Sequence, residues 1–175
     1  MKRHMVLFLA IIFILSGCTK KESTRTSGID TIDNITYFGT TYYNYGFLFS
    51  GAKLVKTFPS PGPDITIYVN TDNVTPRLTL QSNNLNPSFY KAGDFPDASG
   101  AQSAFDNLKT VTATQWQDMA DPVNDNQVWI YKSGTGNYTK LRIVSTVNET
   151  RSGIAYGECT FQWVYQSDGS STFPK

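Results

Sequence analysis

From Ile154 to Gln166 the chain alternates. Cys159, Phe161, Trp163 and Tyr165 occupy one set of alternate positions, and Glu158, Thr160 and Gln162 the other. Side chains point to opposite faces in turn only along a strand, so the pattern requires a sheet with one buried face. It also fixes the register, because a slip by one residue would expose every aromatic ring. The preceding segments fit the same sheet. Gln127–Lys132 reads as a short strand and Ser133-Gly134-Thr135-Gly136 as a turn. Tyr138 to Asn148 reads as a long strand, with Leu141 and Ile143 on one face and Lys140 and Arg142 on the other. A polar turn from Asn148 to Gly153 returns the chain. The prediction is an antiparallel three-stranded meander.

The N-terminal half carries a broken version of this pattern. Ile35–Phe38, Tyr42–Ser50, Lys53–Phe58, Ile65–Asn70 and Arg77–Gln81 are candidate strands, separated by a proline-rich loop at 59–63 and another at 83–87. Ser99 is a candidate cap for one helix, with Ala101, Ala104, Phe105 and Leu108 at helical spacing. The expected fold is mainly β: a single antiparallel β-sandwich or meander domain over 29–175, with at most one short helix. Charged residues make up 17% of the chain and the formal net charge is +1. That balance excludes a disordered chain, and it leaves no basic face for nucleic acid.

The N-terminus reads MKRHMVLFLAIIFILSGC. A cationic start, Lys2-Arg3-His4, precedes an unbroken apolar run from Met5 to Leu15. A spanning helix needs about 20 apolar residues, so this run fits the core of a signal peptide. Leu15-Ser16-Gly17-Cys18 then resembles the lipobox of bacterial lipoproteins. The resemblance implies cleavage after Gly17 and acylation of Cys18 with fatty chains such as palmitate. Residues 1–17 are then the signal peptide and 18–28 a lipidated, polar, flexible tether. Several acyl chains hold a protein stably in a membrane. No Asp follows Cys18, so the expected location is the outer membrane, on either its periplasmic or its extracellular face.

Cleavage would leave no histidine, since His4 is the chain's only one, and one methionine, Met119, of three. Ser-His-Asp and Cys-His mechanisms would then lack their base. Cys159 would be the only cysteine besides Cys18, and its place among strand aromatics makes it a core residue. Ser50-x-x-Lys53, Tyr68-x-Asn70 and Lys132-Ser133-Gly134 stand in the order found in penicillin-recognising enzymes, but that serine should open a helix, whereas Ser50 closes an aromatic strand. The Asp/Asn-rich stretch 118–126 has oxygen ligands for calcium without EF-hand spacing, and reads as a turn. The reading is therefore non-enzymatic, with no metal site.

Val128-Trp129-Ile130-Tyr131, the run Gly136 to Ile143 and the run Thr160 to Ser170 together resemble the C-terminal meander of the HmuY-like lipoproteins of Bacteroidetes. Phe47 to Val55 is similar to an early strand of that family. The resemblance implies an all-β outer-membrane lipoprotein that captures haem and passes it to a TonB-dependent receptor. Family haem sites use paired histidines or methionines, which the processed chain would lack. No cofactor is therefore assigned. Were haem bound, Met119 beside Trp116 would supply one axial ligand and a tyrosinate another. The expected function is capture of a small ligand for uptake, with Met119, Trp116 and Trp129 as candidate binding residues. The alternative is a glycan-binding or adhesive surface lipoprotein, with Tyr42, Tyr43, Tyr45, Trp116 and Trp129 stacking on sugar rings.

Overall fold

The computed structural model describes residues 25–34, 37–38, 41–42, 45–58, 60, 62–71, 76–84 and 86–174. The expected signal peptide with Gly17, Cys18 and most of the expected tether lie outside the described residues, as do Ile35, Thr36, Tyr43 and Asn44. The strands are β1 (Ser27–Asp33), β2 (Tyr37–Phe38), β3 (Thr41–Tyr42), β4 (Tyr45–Leu48), β5 (Lys53–Lys56), β6 (Ile65–Asn70), β7 (Arg77–Ser82) and β8 (Phe89–Asp94). Helix α1 (Ala98–Asn107) follows, then β9 (Met119–Ala120), β10 (Gln127–Lys132), β11 (Tyr138–Arg151) and β12 (Ile154–Gln166).

Two antiparallel five-stranded sheets form, in the orders β1-β12-β11-β10-β8 and β5-β4-β6-β7-β9. β2 and β3 make a separate ribbon. The fold is mainly β, a sandwich with, among the described residues, one short α-helix. The meander β10-β11-β12 has the expected register, with Trp163 opposite Leu141 and Leu141 opposite Trp129. Ser152 and Gly153, at φ of 52° and 81°, make the tight turn between β11 and β12. Positive φ at both central residues gives the twist an antiparallel hairpin needs. The turn is thus shorter than expected, and β11 runs on to Arg151.

Both sheets contribute to one core. Phe47, Phe49, Phe161 and Trp163 pack edge-on or tilted, with ring centroids 5.3–6.3 Å apart. Ile67, Val69, Leu78 and Leu80 close over them from the second sheet. At Gly157 the sheets come so close that a Cβ would sit 2.4 Å from Leu78 and 2.5 Å from Val69. Only glycine fits there.

The outer face of the first sheet is covered too. Helix α1 lays Ala101 and Phe105 against it, so Val128, Ile130, Lys140 and Arg142 are buried there. Lys140 spans this layer. Its ammonium donates to the carbonyls of Phe105 (2.8 Å) and Leu108 (3.2 Å), at the C-terminal end of the helix. Burial, with Lys109 nearby, lowers its pKa.

Several expectations need correcting. Asp97, not Ser99, caps α1, accepting from Gly100 N–H at 2.8 Å. The expected strand Tyr42–Ser50 is divided into the end of β3, β4 and a 3-10 turn at Phe49–Gly51. β1 begins at Ser27, inside the stretch read as tether. Its inward positions are Gly28, Asp30 and Ile32, so it lacks an apolar alternation; Asp30 is there for the indole N–H of Trp163 (2.6 Å). β8 is a further strand without a clean alternation, because a bulge opposite Val128 and Trp129 breaks its pairing rhythm.

Candidate functional site

The 109–118 segment runs across the outer face of the first sheet and is pinned at both ends. Thr110 bridges to Thr172, and Gln117 pairs with Phe89, donating to its carbonyl at 2.7 Å and accepting from its N–H at 2.9 Å. Two residues further on, Met119 pairs with Gln81 of β7. This short stretch therefore ties the edge of one sheet to the edge of the other. It also fixes the position of Trp116.

The indole of Trp116 is half-buried over three side chains of the outer face. Tyr138 stacks on it (6.1 Å, 29°), Tyr90 lies tilted at 6.3 Å, and the Lys132 ammonium is 4.6 Å from its ring centre. Register explains the grouping, since Lys132 faces Tyr138 across the β10–β11 hairpin. The indole forms one wall of an open cleft of about 620 Å³. Asn84, Asn86, Ser88, Lys132 and Ser133 supply polar groups around it. Asn84 is locked in place: its amide donates to Lys132 O (3.1 Å), and its carbonyl oxygen accepts from Asn86 N–H and the Ser88 hydroxyl, both at 2.9 Å. An aromatic wall with fixed amides and hydroxyls is a surface for holding an amphipathic ligand.

Met119 lines a neighbouring cleft of about 380 Å³ and is 40% exposed. The two clefts share Asn86. The structure thus brings Trp116 and Met119 to one end of the sandwich. It does not bring Trp129 with them. Trp129 is fully buried, its N–H donates to Gln127 (3.0 Å), and Lys91 lies 5.2 Å from its ring centre. Its neighbours Val128, Ile130 and Tyr131 form a continuous apolar run, the mark of a strand buried on both faces, so Trp129 is a core residue and not a binding residue. Of the other proposed sugar-stacking rings, Tyr45 belongs to β4 of the other sheet, Tyr43 lies outside the described residues, and for Tyr42 only the backbone is described.

The Met119 cleft does not suit haem. Its other described walls, Gln81, Ser82, Asn86 and Asp118, are polar, and the Gln81 amide donates to the Met119 sulfur (3.6 Å). A porphyrin face needs apolar walls, and among the described residues no second axial donor lines the cleft. In the stretch 118–126, the carboxylates are turned to different partners. Asp121 accepts from Thr79 and pairs with Arg77 (3.5 Å), while Asp125 accepts from Thr146 (2.7 Å). Among the described residues no three His, Cys, Asp or Glu side chains gather as a metal site. Cys159 is buried in the core, as expected, and burial pushes its thiol pKa up. Lys53, from the serine-lysine pattern, is exposed on β5, on the opposite sheet from Lys132-Ser133.

A third opening flanks the β10–β11 turn on its other side. It measures about 370 Å³ and is lined by Leu48, Ser50, Asp64, Ser133, Gly134, Thr135, Asn137 and Tyr165. Asp64 sits at its floor, and burial raises its pKa. Sequence reasoning missed Asp64, Lys132 and Tyr138. Lys132 and Tyr138 carried a usable signal, since both flank the one clear turn of the meander. Compared with known protein families and with curated proteins, the chain has no match.

Proposed function

We propose that the chain is an outer-membrane lipoprotein, anchored through Cys18, whose sandwich captures a small ligand in the Trp116 cleft without catalysing a reaction. The observation that carries this reading is the Trp116 cleft itself: a half-buried indole, braced by Tyr138 and Lys132, facing fixed amides. The sequence around Cys18 supports the anchor. Strand direction supports the hand-over to an outer-membrane receptor of the TonB-dependent kind. Tyr165 N–H donates to Thr26 O, so the chain enters β1 at the end of the sandwich that carries the β10–β11 turn and the clefts. At about 3.3–3.6 Å per residue, the seven steps from Cys18 to Arg25 reach at most ~25 Å. The binding end would therefore lie close to the membrane that holds the receptor.

A saccharide is the second reading, favoured by the amides and hydroxyls around one indole. Intrinsic fluorescence tests both. Trp129 and Trp163 are fully buried, so Trp116 is the tryptophan a ligand can reach. Titration with neutral oligosaccharides should quench or shift its emission, and Trp116→Phe should abolish the change. Haemin should bind weakly or not at all, without sharp low-spin bands. Tight haemin binding that survives Met119→Ala, or no response of Trp116 to any small amphipathic ligand, would refute the reading.

A further inference from the structure

The opening beside Asp64 is a different site from the Trp116 cleft. Asp64 follows the loop at 57–63 and is held by its own backbone, which donates to Phe47 O (2.9 Å) and accepts from Asn83 N–H (3.4 Å). One carboxylate oxygen accepts from Phe49 N–H at 2.8 Å, which closes the 3-10 turn. Among the described residues the other meets the Tyr131 hydroxyl alone, at 3.4 Å, a long contact that Tyr131 shares with Ser82, also at 3.4 Å. Among the described residues no lysine or arginine pairs with Asp64. A carboxylate withdrawn from water is costly unless a cation or several donors meet it. The fold supplies one short hydrogen bond and leaves one oxygen in an open cleft.

The rest of the cleft is rich in acceptors, and none of its described lining residues is a cation. Ser50, Ser133 and Thr135 bring hydroxyls, and Asn137 donates its amide to the Tyr165 hydroxyl (2.8 Å). The Ser133 and Thr135 hydroxyls bond each other at 2.9 Å, and Asn137 N–H reaches the Ser133 hydroxyl at 3.1 Å, so the rim is fixed. A ring of oxygens above a half-paired carboxylate suits a group with three donors and a positive charge. Tyr165 adds an aromatic wall, which favours a cation further. A neutral polyol would meet hydroxyls equally well, but it would leave the carboxylate's charge unpaired.

We propose that this cleft binds a primary ammonium group of a small ligand, with Asp64 as its counter-ion and the Ser50, Thr135 and Tyr165 oxygens as further acceptors. The inference stands on this cleft alone and does not depend on the Trp116 reading.

The test uses the purified full-length protein at neutral pH, with 1,4-diaminobutane and its uncharged counterpart 1,4-butanediol, and glucosamine against glucose. Amide chemical shifts of Ser50, Gly134, Thr135 and Asn137 report the site. The amines should bind saturably and move these signals, and the two neutral probes should not. Asp64→Asn keeps an acceptor for Phe49 N–H and should weaken amine binding at least tenfold. Ser50→Lys, at an exposed position, sets a rival ammonium at the mouth and should do the same. Trp116→Phe should change nothing here, which separates this site from the other cleft. The proposal is overturned if neither amine binds, if butanediol or glucose binds as well as its amine, or if amine binding persists unchanged in both the Asp64 and Ser50 variants.

Discussion

Trp163 is where the register argument meets a measurable energy. Its ring is fully buried against Phe47 (5.3 Å) and Phe49 (5.7 Å). Its N–H donates to Asp30 at 2.6 Å, and the Arg25 guanidinium both pairs with Asp30 (2.8 Å) and lies 5.3 Å from the indole centre. Trp163→Ala removes the contacts with Phe47, Phe49, Asp30 and Arg25 and leaves a cavity between the sheets; such truncations cost about 3–5 kcal/mol. Trp163→Phe keeps an aromatic ring and loses the N–H bond to a charged acceptor, a loss worth about 1.5–3 kcal/mol. Against a total stability of about 5–15 kcal/mol, the alanine variant should be close to unfolding at ambient temperature. Guanidinium denaturation followed by circular dichroism measures both. The midpoint should fall in the order wild type, Phe, Ala, with the slope unchanged. Combining Trp163→Phe with Asp30→Asn should cost less than the two losses added, because the pair shares one bond. An alanine variant that loses less than about 1 kcal/mol would refute the inward register of β12 and with it the assembly of the core.

Three further outcomes follow from the same residues. Cys18→Ala should release the protein from the membrane fraction and abolish labelling by radioactive palmitate; normal detergent partitioning would overturn the lipid anchor. Asp97→Ala should lower stability and speed amide exchange at Gly100 and Ala101. Hydrogen bonds from Gly100 N–H and the Ser99 hydroxyl hold the Asp97 carboxyl below its usual pKa, so this stabilisation should be present above the unfolded value and fade as pH falls through the folded one. Asp64 has the opposite sign. Burial raises its pKa, so the folded state binds the proton more tightly, and ionisation costs stability as pH rises from about 4 through the folded value. Asp64→Asn should flatten that part of the stability–pH curve, and an unchanged curve would show that Asp64 is not desolvated.

The meander was legible because its physics is local. Period-2 alternation and turn residues at the two breaks suffice for β10, β11 and β12, and one buried face fixes their register. β1 was not legible, because two of its three inward positions are Gly28 and Asp30, and their reason lies more than 130 residues away in the indole N–H of Trp163. The aspartate is useful only where the two strands meet, so no window of sequence around it could show that it faces the core. The same holds for the clefts. Trp116 stands between Gln115 and Gln117 and Trp129 between Val128 and Ile130; the second is sealed under Lys91 and the first is held open by the pairing of Gln117 with Phe89. That difference is set by the path of the 109–118 segment across the sheet, a tertiary choice with no periodicity of its own. Asp64 is the extreme case. In the sequence it is a lone acid after a proline-rich loop, and such residues usually mark solvated turns. It becomes a candidate recognition group only because β4, β6 and the β10–β11 turn converge on it and, among the described residues, line its cleft with no cation.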